Sequence, residues 1–486
     1  MKTGIKKIFE NASALMIATG LQPVFNFALV LFISRLFSAQ GLGAYTTAFA
    51  LCNVFQLFCA FGMKMYLARE VAKYPDSVGD YLANGLVIVF GFSIISVAGM
   101  LLSVFILGYS PEVARLANLL AISLVATALI ECFLGVLTGF ERLKFIALIT
   151  ILEEFFKVIV SVILLHKGYG IVGVVISYIV FRFASAIVIL IYLYRSLEIR
   201  TFHFNLPGCI DTIKKTAFFA FSIIFMAIYW QADVIILSKI GTIEDVGIYG
   251  AAFRLFRIIF VLMQSILMAM YPVLSKSHHE NVNQFVELYK RTAKYLIILT
   301  IPFSVAMIVF ADRIILLVFD SDFIPSFGVL KILIAGLTPF IVSNLLAFVL
   351  LASDNHRLDF LSNIMGVIVK IIFVYYLTQK TGFIGTAIGA FIAFWGRMIV
   401  QTLFLWRKRL TTMHIIPWLH SAVKYILILV VFVGTILLVK NVNLYLAFVT
   451  GMVVYVITVL KLMFSTDEKS QVRRMIGSKW LALKRN

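Results

Sequence analysis

Apolar residues along this chain come in blocks of about 20 rather than in alternation, as in the stretch 82–107. A helix needs about 20 apolar residues to cross the roughly 30 Å hydrocarbon core of a bilayer. A barrel strand needs only about 9–11 and alternates. The pattern therefore predicts helices, which also satisfy their own backbone hydrogen bonds in lipid. Fourteen spans follow, at about 12–34, 41–63, 81–107, 116–139, 145–166, 170–194, 216–238, 246–273, 293–318, 328–352, 359–378, 383–405, 421–439 and 443–463. Gly and Pro punctuate the junctions, as in Gly108-Tyr109-Ser110-Pro111 and Lys167-Gly168-Tyr169-Gly170.

The basic residues test that count. With the N-terminus inside, the inner loops and both termini hold 28 Lys and Arg, and the outer loops hold six: Arg35, Arg115, Lys167, Lys239, Lys380 and Lys440. The positive-inside rule then puts both termini in the cytoplasm of a multi-pass cell-membrane protein. No loop exceeds about 25 residues, too few for a soluble catalytic domain, so an enzyme is not expected. The inner loops 195–215 and 274–292 each have room for a short amphipathic helix. The tail 471–486 reads as a basic amphipathic segment on anionic lipid.

Composition agrees. Apolar residues make up 62% of the chain and charged residues 13%, against roughly 45–50% and 25% in a soluble domain. The net charge of +19 is accounted for by basic loops and contact with anionic lipid, so nucleic acid is not an expected partner. Cys52, Cys59, Cys132 and Cys209 lack metal-ligand spacing and read as packing residues. No metal site and no cofactor are expected. The basic start Met1–Lys7 leads into a retained first span rather than a cleavable signal.

The chain also repeats. Residues 34–51 align without a gap on 238–255, with Ser34, Gly43, Tyr45, Ala48, Phe49 and Leu51 matching Ser238, Gly247, Tyr249, Ala252, Phe253 and Leu255. Gly170-x-x-Gly173 matches Gly382-x-x-Gly385, and Arg142-Leu143-x-Phe145 matches Arg357-Leu358-x-Phe360. The organisation expected is six helices (1–200), six helices (201–410), then a final pair with a basic tail (411–486). An even number of spans per half makes the repeats parallel, with a substrate site between them.

Charges inside spans cost about 2.5–3.5 kcal/mol each at the bilayer centre and usually face a polar interior. Lys157, Arg182, Arg257, Lys370 and Arg397 lie roughly 10–20 Å from the nearer span end, and Arg254 lies one turn outward from Arg257. Together they would form a cationic cavity for phosphates or acidic sugars, with Arg182 and Arg397 pointing to one central axis. Snorkelling or local pairing is the alternative for each. The acids within spans are Glu131, Glu153, Glu154 and Asp233, with a Glu153–Lys157 pair favoured by the four-residue spacing. Proline in Gln22-Pro23-x-x-Asn26, at Pro302 and at Pro339 is expected to kink spans one, nine and ten.

The run from Asp233 to Leu255 resembles the span seven to eight junction of the polysaccharide-transporter branch of the multidrug/oligosaccharidyl-lipid/polysaccharide (MOP) exporter superfamily, which includes the Wzx-type O-antigen flippases. Ile33 to Tyr45 looks like its partner, and Tyr271-Pro272 and Gly382 to Ile388 are similar to the same family. The resemblance covers most of the chain and is weakest over the last 60 or so residues. It implies two six-helix bundles in a V, plus two peripheral helices. It implies flipping of a polyprenyl-diphosphate-linked oligosaccharide to the outer leaflet by alternating access, in some members coupled to H+ or Na+. Polysaccharide polymerase machinery is a possible partner. The cavity residues would be Arg254, Arg257, Arg182, Arg397, Lys370 and Lys157. Asp233, Glu131 and Glu154 are candidates for ion coupling only as buried acids. Alternatives are a multidrug/cation antiporter, a lipid II flippase, or an integral-membrane glycan polymerase or ligase. Buried cations outnumbering acids argue against the antiporter, and the lack of a large outer loop argues against the enzymes.

Overall fold

The computed structural model describes residues 2–196, 204–408, 410, 424, 427–435, 438 and 444–463. Side chains are described from residue 18 onward, save Phe218, Phe219, Ser222 and those of 444–448. The described residues are helical throughout, apart from turns. The helices are α1 (Lys2–Ala60), α2 (Met63–Lys73), α3 (Val78–Ile106), α4 (Pro111–Gly139), α5 (Leu143–His166), α6 (Gly170–Ser196) and α7 (Leu206–Ile240). They continue as α8 (Ile243–Glu280), α9 (Val282–Val309), α10 (Ala311–Val318), α11 (Ser326–Ala335), α12 (Leu337–Ala352) and α13 (His356–Arg407), and a last helix spans Leu444–Leu462.

Eight helical segments among the described residues are long and apolar enough to cross a membrane, or nine with the α11–α12 pair counted as one bent span. Two of them are double. At 59 and 52 residues, α1 and α13 would each run about 80–90 Å, nearly three bilayer cores. Each is broken inside, α1 at Ser38 and α13 at Thr381–Gly382, where φ and ψ leave the helical region. The helix α5 is also long enough, but Glu153, Glu154 and Lys157 crowd its middle. Expected spans one to twelve thus lie on helices, as does the fourteenth. The thirteenth is described only in part, and the basic tail 471–486 lies outside the described residues.

Two local expectations fail. No separate amphipathic helix occupies 274–292, because α8 runs on to Glu280 and α9 starts at Val282, its Asn281 cap accepting from the backbone N–H of Asn283 and Gln284. Basic residues after span two form the short helix α2 instead of a loop. The proline expectation holds at Pro339. A proline leaves the carbonyl four residues earlier unpaired, here Ala335, and the α11–α12 span bends by 42° beside it.

The sequence repeats recur as backbone geometry. Gly170 and Gly382 both take positive φ, at 64° and 58°. So do Glu141 and Asp354, at 57° and 58°, one and three residues before the matched Arg-Leu pairs. The halves meet where α1 crosses α8. A β-carbon on Gly43 would overlap the carbonyl oxygen of Ile243, and one on Gly247 would overlap that of Ala39. The start of α7 also reaches across, since Thr212 donates to Tyr66 Oη (3.1 Å) and Asn84 Oδ1 accepts from the Asn205 backbone (3.0 Å).

Candidate functional site

Six cations were expected in one cavity, and the structure sorts them into two groups. Three are not deeply buried, and one of these, Arg254, lies where α8 meets α1. Arg254 of α8 is half-buried and donates to the Gly250 carbonyl and to Thr46 Oγ1 of α1, both at 3.1 Å, with its guanidinium 5.9 Å from the Tyr45 ring centre. All these partners are neutral. Arg257, one turn on, is exposed and has no ion-pair or hydrogen-bond partner among the described residues. Rings continue the wall from Tyr45 to Phe49 (4.4 Å) and from Phe49 to Tyr178 of α6 (5.1 Å). Arg182 lies over Tyr178 at 5.4 Å and pairs with Glu153 at 3.1 Å.

The other three cations are buried inside their own halves, which corrects the expectation for Lys157, Lys370 and Arg397. Lys157 is held by Glu154 at 2.5 Å, and both side chains are nearly inaccessible. The expected Glu153–Lys157 pair is replaced by this one, because Glu153 turns to Arg182 instead. Lys370 of α13 lies 2.8 Å from Asp233 of α7 and donates to the Tyr229 carbonyl at 2.6 Å. Tyr249 completes the cluster by donating to Asp233 Oδ2 at 2.8 Å. Arg397 is 2% exposed, packs its stem on Gly366 and lies 5.9 Å from the Tyr229 ring, with its Nε unpaired. A charge buried this deeply is tolerated when a carboxylate and further hydrogen bonds surround it; Lys370 meets that condition, and Lys157 has the Glu154 carboxylate with the Tyr178 ring 5.5 Å away.

The acids follow from the same sorting. Asp233 and Glu154 are already engaged by lysines. Glu131 is not buried as expected; its side chain is 30% exposed and lies 3.8 Å from Lys64.

Sequence reasoning missed Thr46, Tyr45, Gln56 and Tyr178. The signal for Thr46 was present, because it is the equivalent of Gly250, to which Arg254 also bonds. Tyr45 and Tyr249 are equivalents that have diverged, one facing Arg254 and the other Asp233.

The helix order and the long apolar spans define a multi-pass helical membrane protein. The fold is shared with a structure described as "Lipid II flippase MurJ, inward closed conformation", at a TM-score of 0.74 and 19% identity over 92% of this chain and 98% of that one. It is also shared with an inward-facing multidrug resistance MATE family transporter, at 0.66 and 17% identity over 80% and 94%. A MOP superfamily transporter from Pyrococcus furiosus superposes at 0.59 and 16% identity over 83% and 95%. No curated protein matches by sequence. The chain belongs to the family described as "Polysaccharide biosynthesis protein", whose model matches residues 8–278, more than half of its length. The MatE family model matches residues 219–376.

Proposed function

We propose that the protein flips a polyprenyl-diphosphate-linked oligosaccharide, a polysaccharide repeat unit, from the cytoplasmic to the outer leaflet. The halves 1–200 and 201–410 would rock about the α1–α8 crossing. The observation that carries this reading is Arg257. An arginine in the middle of a membrane helix, without a carboxylate, favours a mobile anion as its counter-ion. Arg254 adds a second cation held only by neutral groups, whereas Arg182 is already neutralised by Glu153. A diphosphate supplies the complementary charge and the oxygen geometry that guanidinium groups recognise.

Lipid II is the second reading, because the superposition with the MurJ structure is extensive and a diphosphate would suit the same arginines. Among the described residues no carboxylate lies beside Arg254 or Arg257 to receive a cationic drug, which disfavours the antiporter. Coupling to H+ or Na+ would act through Asp233 or Glu154 only by releasing the lysine that each holds. Anionic lipids at the basic loops and a glycan polymerase at the outer face are the partners this reading calls for.

Reconstituted vesicles test the reading. The protein should move a fluorescent polyprenyl-diphosphate oligosaccharide between leaflets, and the variant with both Arg254→Ala and Arg257→Ala should not. Movement of lipid II alone would select the second reading, and movement of neither lipid would overturn both.

A further inference from the structure

Arg257 and Asn53 are equivalent positions in the two halves, 204 residues apart. The repeat that seats Gly43 against α8 and Gly247 against α1 sets these two side chains on matching faces beyond the crossing. Arg257 is exposed and Asn53 half-buried, and Asn53 too has no hydrogen-bond partner among the described residues. One turn further along α1, Gln56 donates through Nε2 to Tyr178 Oη at 2.6 Å, and its Oε1 accepts nothing from a described residue. Tyr178 Oη in turn accepts from Arg182 Nε at 3.3 Å. The same frame therefore carries different chemistry on its two walls: two guanidinium groups on α8, and carboxamides backed by a phenol on α1 and α6.

That asymmetry has a chemical meaning. A guanidinium offers only donors and suits phosphate oxygens. A carboxamide offers a donor and an acceptor together, which matches sugar hydroxyl and acetamido groups, each also donor and acceptor. An unpaired amide in a membrane interior is costly unless a ligand or water completes it. Phe49, between Tyr45 and Tyr178, adds an apolar ring of the kind that lines binding sites beside a few placed polar groups.

We propose that Asn53 and Gln56 of α1, with Tyr178 of α6, form a carbohydrate-reading subsite for the sugar next to the diphosphate. Arg254 and Arg257 hold the phosphates on the facing wall. The subsite rests on the flippase reading and assigns it a direction, with charge on the second half and sugar selectivity on the first.

The test compares two lipids on the purified full-length protein: undecaprenyl diphosphate, and the polyprenyl-diphosphate glycolipid pool that accumulates in cells lacking this protein. Wild type should bind the glycolipid more tightly than the bare diphosphate. Asn53→Ala and Gln56→Ala should each cut that preference about five- to tenfold, the worth of a neutral hydrogen bond or two. Binding of the bare lipid should stay within about twofold, which also reports an intact fold. Should either alanine variant fail to insert, Asn53→Ser and Gln56→Asn should give smaller losses in the same direction. A parallel fall for both lipids, or unchanged preference, overturns the subsite. Equal wild-type affinity for the two lipids overturns the subsite alone, whereas wild-type binding of neither overturns the flippase reading with it.

Discussion

Gly43 lies against the carbonyl of Ile243, and Gly247 lies against the carbonyl of Ala39. Each glycine is the other's equivalent, and so are Ala39 and Ile243, at the same offset of 204 residues. The contact is thus one interaction made twice about a pseudo-two-fold axis. Small residues let two membrane helices approach until their backbones touch, and here the approach joins the halves.

Adding a methyl at either glycine forces the helices apart. Because the obstacle is backbone rather than a side chain, no rotamer change relieves it. Gly43→Ala and Gly247→Ala should each destabilise by about 1–3 kcal/mol or more, the usual cost of overpacking. The effect should be similar for the two by symmetry, read as a lower thermal midpoint in detergent. A wild-type midpoint for either would show that the crossing is looser than described.

The buried cluster of Asp233, Lys370 and Tyr249 makes a second prediction. Removing one partner leaves a charge in a site with 1% exposure, at a cost of about 3–5 kcal/mol. Lys370→Met alone and Asp233→Asn alone should both lower the level of inserted protein. The double variant should recover much of the loss, because an apolar pair in such a site is often neutral or better. If the double variant were worse than either single one, the pair would not be the coupled unit described.

What the sequence conveyed and what it withheld divide along one line. The helices and the matched glycines Gly43 and Gly247 were legible, because hydropathy periodicity and small-residue spacing act locally. Pairing was not. Glu153 has Lys157 at the favoured spacing on its own helix, yet it bonds Arg182 on α6 while Lys157 takes Glu154. Lys370 and Asp233 are 137 positions apart and meet only once α7 packs on α13. The breaks at Ser38 and Gly382 were likewise visible as junctions but not as sharp turns within continuous helices.

Two glycines at one junction should behave differently. Gly382 takes a φ of 58°, but a β-carbon there meets nothing within 4 Å. Gly382→Ala should therefore cost only the backbone strain of φ 58° and ψ −138°, a region essentially restricted to glycine, about 1–3 kcal/mol. Gly385 has ordinary helical geometry, but its β-carbon would overlap the Leu377 carbonyl. Gly385→Ala should be the more damaging of the two in thermal denaturation, and the reverse order would place the constraint in the turn rather than in the helix contact.

Orientation has its own check. Ser110 lies in the α3–α4 turn and His278 near the end of α8, on the faces expected outside and inside. Single cysteines introduced at the two positions, in a background lacking the native four, should label with a membrane-impermeant thiol reagent from opposite sides. Labelling from the same side would overturn the positive-inside assignment.

The two α8 arginines should separate stability from transport. Arg254 spans the interface, and its bond to Thr46 contributes to holding α8 on α1. Arg254→Ala should lower both the thermal midpoint and the transport rate. Arg257 has no hydrogen-bond or ion-pair partner among the described residues, so Arg257→Ala should leave the midpoint unchanged or slightly raised, since an unpaired charge is removed. Its transport rate should nonetheless fall about ten- to a hundredfold, the equivalent of one charge-assisted hydrogen bond of about 1.5–3 kcal/mol. Arg257→Lys should recover only part of that rate, because an ammonium keeps the charge but loses the two-pronged geometry. Full activity in Arg257→Ala vesicles would remove Arg257 from the substrate path, and full recovery by lysine would reduce its role to charge alone.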